Sequence, residues 1–404
     1  HDFDTDPGRA KFGHMLSTMR LRRLRDVLTD YVERGDVPGV VALVSRRGQT
    51  HVEAIGTTAY GGGRPMSADT IFRVSSMTKP VTAAATMMLV EECRIRLDDP
   101  IDPLLPELAD RQVLRSMGAA LHDTVPAFRP ITVRDLLTFT WGFGQVLAPP
   151  DAYPVLKAAW DLGIGMGEPR PRDMPDQDEW LKRLGSLPLM AQPGERWFYH
   201  TGSDVLGVLL SRATGLSFAD LLSERVFAPL GMGDTGFAVP PSSLDRLAHG
   251  YWNEPAEPLD TQEEWTTAPS FLSGAGGLVS TVEDFFTFGR MLLRRGDQRL
   301  LSRPALELMM ADHLTPAQKV LPHWVPDEFS ASGWGFGGKV TTRRETISDT
   351  PGSFGWDGGL GTSWRVDPAE EMITVLMTQR GWLSPSPPPI LRDFWTLAYQ
   401  AIDD

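Results

Sequence analysis

The chain has 404 residues, 41% of them hydrophobic, with a formal charge of −13 at pH 7 and a single cysteine. That length supports a large folded core, and the negative charge, with no long Lys/Arg block to interrupt it, excludes nucleic acid and anionic membrane surfaces as partners. Cys93, alone in "VEECRIRLDD", excludes an intrachain disulfide, lacks the paired spacing of a zinc site and reads as a half-buried structural thiol.

The first residues, "HDFDTDPGRAKFG", are polar and carry no secretory pattern. The chain opens on His1, which leaves a trimmed leader open; a cytoplasmic location is the expectation. Leu21, Leu24, Leu28, Tyr31 and Val32 recur at three and four, predicting an amphipathic helix that ends before Gly35 and Pro38. "GVVALVS" and "QTHVEAIG" then read as a hairpin through Arg46, Arg47 and Gly48. At the far end "TSWRVD" and "EMITVLMTQ" repeat the pattern around Pro368, and "ILRDFWTLAYQAI" closes the chain as a helix. A lone hairpin cannot bury its apolar face, so the expectation is an α/β (α+β) fold in which both termini build one antiparallel sheet flanked by helices.

The domain reading is an α/β part over 15–95, a mostly helical region over 96–269, and the rest of the α/β part over 270–404. Thr132 with Asp135, Ser217 with Asp220, and Ser280 with Glu283 are predicted helix N-caps. The proline-rich stretch 148–193 is too long for a connector and reads as a functional wall or lid. Twelve tryptophans exceed what a core of this size needs, and some are expected to line an apolar cleft. No apolar run reaches the roughly 18 residues of a membrane span.

"RVSSMTKPVTAA", residues 73–84, places one of only six lysines in an otherwise apolar run. If a helix starts near Ser75 or Ser76, Ser76 and Lys79 stack at i and i+3, and Pro80 sits in the first turn, where it loses no hydrogen bond. A serine hydroxyl is a weak nucleophile until its proton is taken, and a lysine can take it only if burial or positive potential lowers its pKa. By itself the Ser-x-x-Lys spacing recurs by chance.

Taken with "LDDPIDPLLPEL", "ITVRDLLTFTWGFG", "QPGERWFYHTGSDVLGVLLSRATG", "FAPLGMGDTGF", "SGAGGLVSTVEDF" and "FGWDGGLGTSWRVDP", the stretch resembles the serine β-lactamase and penicillin-binding-protein superfamily. The likeness is nearest to its class C branch and to family VIII carboxylesterases, and runs from about residue 36 to 380. The resemblance implies a catalytic Ser76, Lys79 and Tyr199 in a cleft between a helical region and an α/β region. Tyr199 fits that chemistry, because a phenol beside a cation is expected to titrate lower and to shuttle a proton to a leaving alkoxide. His200 competes for the role; if its segment is extended, it faces the opposite way from Tyr199.

Departures from the family pattern bear on the substrate. Thr201 stands where β-lactamases usually carry Asn, and is expected to hydrogen-bond Lys79. Trp356-Asp357-Gly358 replaces the family's Lys-Thr-Gly, removing the cation that would meet a β-lactam carboxylate. The substrate-binding candidates are therefore Thr201, Trp356 as an apolar wall, Gly358, and Gly359, whose amide with that of Ser76 would form an oxyanion hole. Asp357 is read as exposed and without a role.

"GWGFGGKV" lacks the strand and helix of a dinucleotide fingerprint and reads as a flexible glycine-aromatic loop. The absence of Gly-x-Ser-x-Gly disfavours an α/β-hydrolase triad, and eight scattered histidines predict no metal. The resulting expectation is a cofactor-independent esterase for a small-molecule ester. A β-lactamase or D-amino-acid peptidase, an acyltransferase and a catalytically silent binding or sensor module stay open, as does the oligomeric state.

Overall fold

Eight strands contributed by the two ends of the chain pair into one antiparallel sheet in the computed structural model, which describes residues 16–165, 170–296, 298–320 and 327–404. Strands β1 (Gly39–Arg46), β2 (Gln49–Ala59) and β3 (Gly62–Pro65) come from the N-terminal part. Strands β4 (Ser332–Trp334), β5 (Lys339–Thr341), β6 (Phe354–Gly358), β7 (Thr362–Asp367) and β8 (Met372–Met377) come from the C-terminal part. The order across the sheet is β4-β5-β6-β7-β8-β1-β2-β3. The two ends of the chain join where β1 meets β8, with Val41 opposite Met377 and Leu43 opposite Val375.

All eight residues of β1 are buried, because helices cover both faces of the sheet. Successive side chains of a strand point to opposite faces, and β1 divides accordingly. Val40, Ala42 and Val44 join the apolar stripes of α1 (Thr18–Glu33) and of the terminal helix Pro389–Gln400, through Leu21, Leu24, Leu28 and Phe394. Val41 and Leu43 join the larger core containing α2 (Thr78–Glu91) and Phe285 and Phe288 of the helix Val282–Leu292. The first hairpin closes through Arg47 (φ 47°) and Gly48 (φ 90°), both left-handed, the backbone that matches the twist of paired strands.

Thr132 and Ser217 cap their helices as expected, each accepting from the amide three residues on. The third cap differs by one residue. Thr281, not Ser280, accepts from the Asp284 amide, because Ser280 is still in a short strand pairing with Phe72. Cys93 is exposed rather than half-buried, on a left-handed turn after α2. "GWGFGGKV" is a tight β4–β5 hairpin and not a flexible loop: Trp334 and Phe336 are fully buried, and Gly337 (φ 74°) packs on the backbone of Lys79. The stretch 148–193 folds into helices Pro154–Asp161 and Gln177–Gly185, and its residues 166–169 lie outside the described residues.

Candidate active site

The chain leaves a short strand at Phe72–Arg73 and turns through Ser75, whose φ of 47° is a left-handed conformation costly for a residue with a Cβ. One 3₁₀ turn, Ser75–Met77, then feeds directly into α2. Ser76 is thereby presented at the helix start, where the first amides lack intrahelical partners. Residues Thr78 to Leu89 of α2 are buried all round, as a helix crossing the centre of a protein must be. Lys79 is carried into this interior with no exposed surface.

Its amine lies 2.8 Å from Ser76 Oγ and donates to the Ala275 carbonyl at 2.7 Å. It also sits 4.5 Å over the ring of Tyr199. Burial, opposed only by the charge of Asp204, pushes the Lys79 pKa down to about 7. Near neutral pH a large fraction of the amine is therefore free, and the 2.8 Å contact can run with Ser76 Oγ–H as donor.

Tyr199 OH donates to Ser76 Oγ at 2.9 Å, so phenol and amine converge on one hydroxyl. The expected lowering of the phenol does not occur. Burial dominates and raises its pKa, outweighing the hydrogen bonds from its neighbours, so Tyr199 keeps its proton. Trp356, expected only as an apolar wall, also makes a polar contact: its indole N–H donates to Tyr199 OH at 2.7 Å, while its ring meets Trp334 edge-on at 4.8 Å. Trp197, Phe139 and Phe329 complete the aromatic packing around Tyr199.

At the end of β6, a Cβ on Gly358 would strike the Val74 carbonyl and Thr362 Oγ1, so that residue is tied to backbone contact rather than to an open surface. Gly359 faces open space. The Gly358 carbonyl accepts from Gly361 N at 3.0 Å, and in a trans peptide this turns the Gly359 N–H the opposite way. Thr201 does not meet Lys79. It is fully buried at the start of the helix α3 (Thr201–Thr214), and its hydroxyl donates to the Phe143 carbonyl at 3.1 Å. Asp357 is buried, not exposed, and faces away toward Ser363 (2.6 Å) and Arg365 (3.4 Å).

His200 also departs from expectation. Its φ of 78° and ψ of −68°, with Thr201 N bonded to the Tyr199 carbonyl at 3.1 Å, form a classic γ-turn, a rare and strained conformation. Alternation fails across such a turn, and both Tyr199 and His200 face Lys79. His200 Nδ1 is 3.4 Å from Lys79 Nζ, and its Nε2 is 3.3 Å from Asp204. Neither Asp204 nor Ala275 was singled out from sequence. The available signal was the i, i+4 spacing of His200 and Asp204, which carries meaning only once the segment is known to be helical.

A family model described as Beta-lactamase matches residues 24–387. Protein Rv1367c of Mycobacterium tuberculosis is 36% identical over 87% of this chain and 88% of that protein. Esterase EstB of Burkholderia gladioli is 30% identical over 91% of this chain and 92% of its own. Among solved structures, EstCE1, described as a hydrolase with promiscuous acyltransferase activity, superposes with a TM-score of 0.76 at 24% identity, covering 95% of this chain and 98% of that one, which bears on the fold alone. With a family match over nearly the whole described chain, laid on a sheet-and-helix fold of the same kind, the chain belongs to the Beta-lactamase family and is a serine hydrolase of β-lactamase type.

Proposed function

We propose that the protein cleaves carboxylic esters of short to medium acyl chain through an acyl-enzyme on Ser76. The observation that carries this reading is the Ser76 hydroxyl held between the Lys79 amine and the Tyr199 phenol, with the indole of Trp356, not a cation, on the phenol's other side. With its N–H given to Tyr199, the neutral indole supplies no charge to the carboxylate of a β-lactam, whereas its apolar face suits an uncharged ester.

In the proposed reaction Lys79, as free amine, takes the Ser76 proton while Oγ bonds to the acyl carbon. The negative charge that develops on the carbonyl oxygen is met by the amides of Ser76 and Gly359. When the tetrahedral species collapses, the bond to the alkoxy oxygen breaks. The leaving alkoxide takes the Tyr199 proton, and Lys79 ammonium returns one to the phenol. Water then attacks the acyl-enzyme, giving its proton to the same amine–phenol pair, which passes it to Ser76 Oγ as the acyl bond breaks and the carboxylic acid leaves. The raised phenol pKa fits this order, since Tyr199 must be a proton donor at the moment the alcohol departs.

The test is hydrolysis of p-nitrophenyl butyrate by the protein and by Ser76→Ala, with intact-mass detection of an acyl adduct on the parent. Loss of turnover and of the adduct in the variant is expected; full activity in Ser76→Ala ends the assignment. A chromogenic cephalosporin offered alongside should turn over far more slowly than the ester.

A further inference from the structure

An unprotonated lysine has two N–H bonds and one lone pair, and it can act as a base only if the lone pair faces the proton it is to remove. Three groups surround Lys79 Nζ: Ser76 Oγ at 2.8 Å, the Ala275 carbonyl at 2.7 Å and His200 Nδ1 at 3.4 Å. If the carbonyl and the imidazole nitrogen each accept one hydrogen, the remaining tetrahedral direction, the lone pair, is left for Ser76. The carbonyl can only accept. His200 Nδ1 accepts only in the tautomer that carries its proton on Nε2.

That tautomer is selected by Asp204, whose Oδ2 lies 3.3 Å from His200 Nε2. The other oxygen, Oδ1, accepts from Ser273 Oγ at 2.6 Å and from the Ala275 amide at 3.0 Å. One buried carboxylate therefore sets the tautomer of one acceptor and the position of the residue that supplies the other. Gly274, between the two Asp204 donors, packs against the Ser203 carbonyl, leaving no room for a Cβ and holding this loop on α3. The γ-turn at His200 is what brings the ring to Lys79 instead of to the far side of the segment. Burial, and then the Lys79 charge, keep the imidazole below its ordinary pKa, consistent with a neutral ring.

We infer that Asp204 and His200 are positioning residues that aim the lone pair of Lys79 at Ser76, Asp204 through both the His200 tautomer and the Ala275 carbonyl. The inference rests on Lys79 being the base of the proposed reaction, but not on the substrate being an ester. Replacing Asp204 by Asn puts an amide N–H within reach of His200 Nε2, favouring the opposite tautomer, whose Nδ1–H would donate to the Lys79 lone pair and oppose its attack on Ser76. It also removes the charge that raises the Lys79 pKa. Among the described residues, the titratable groups facing Lys79 are Tyr199, His200 and Asp204.

The experiment follows the rate at which a fluorophosphonate modifies Ser76, by intact mass, from pH 5 to 9, in the parent, Asp204→Asn, His200→Leu and His200→Asn, with thermal melts of each. Asp204→Asn should slow the reaction on the order of 100-fold and move its pH midpoint lower. His200→Leu should slow it about tenfold or more, with His200→Asn, which keeps an acceptor, recovering part of the loss. A merely structural role would lower the melts without moving the midpoint. The inference is overturned if folded Asp204→Asn or folded His200→Leu reacts within about twofold of the parent with the same midpoint. It is also overturned if Ser76 of the parent is inert. Should Asp204→Asn not fold, the two His200 variants decide. Ester turnover assayed in the same samples is a separate readout: a reactive Ser76 in a protein that cleaves no ester sinks the ester reading and leaves the inference standing.

Discussion

The indole N–H of Trp356 donates to the Tyr199 hydroxyl at 2.7 Å, and that hydroxyl in turn donates to Ser76 Oγ at 2.9 Å. A tryptophan in place of the family's usual lysine thus keeps a donor beside the phenol while removing the positive charge. Burial raises the phenol's pKa, and the phenol holds its proton. In the proposed reaction its role is that of an acid toward the leaving group.

That role makes the effect of Tyr199→Phe depend on the alcohol. A p-nitrophenolate leaves without a proton, whereas an ethoxide does not, so the variant should lose about 10²-fold or more in kcat/KM on an ethyl ester and much less on the p-nitrophenyl ester. Parallel rate measurements on the two esters check it, and equal losses would remove the leaving group as the proton's destination.

Trp356→Phe keeps the apolar face and deletes the N–H. Loss of one hydrogen bond to the phenol should lower kcat on alkyl esters by about tenfold with KM little changed. Steady-state kinetics separate this from a purely steric role, which would appear in KM.

In the proposed reaction Lys79 must be unprotonated to accept the Ser76 proton, and burial pushes its pKa down to about 7. The rate kcat/KM should therefore rise about tenfold per pH unit below that value and level above it. The stability consequence has its own sign. Between the folded value of about 7 and the ordinary 10.5, the unfolded chain binds more protons, so this group's contribution to stability improves as pH rises through that window. Below pH 7 its destabilising effect is complete. Lys79→Met should abolish turnover yet raise Tm at pH 6, and the gain should shrink toward pH 10; calorimetry at several pH values reads both.

Gly358→Ala should be poorly tolerated, because the added methyl meets the Val74 carbonyl two residues before Ser76 and the Thr362 hydroxyl. A loss of roughly 1–3 kcal/mol in denaturant unfolding, with a fall in kcat, is expected from such overpacking. Gly359→Ala, whose methyl would enter open space, should retain stability.

The two-ended sheet was legible from the sequence because strand and helix periodicities are local. Val40 to Val44 is an unbroken apolar run because both of its faces are covered, and Leu21, Leu24 and Leu28 mark one face of a helix. The spacing of Ser76 and Lys79 puts them on one helix face whatever surrounds that helix, but such a spacing recurs by chance, and it was the resemblance carried by the other motifs that marked the pair. The cap at residue 281 was displaced by one position because strand pairing with Phe72, a non-local contact, holds Ser280.

The arrangement around the amine belonged to the tertiary structure alone. A left-handed residue at His200 reverses the facing that an extended segment would impose, and nothing in "WFYHTGSD" announces it. Lys79 meets Ala275 across 196 positions and Tyr199 reaches Ser76 across 123, distances over which no periodicity carries information. The direction of the Tyr199 shift likewise depends on how completely the fold removes water from the group: there is enough burial to outweigh the neighbours that would have lowered it. The residue types and their local spacing came from the chain, and the proton inventory of the site came from packing.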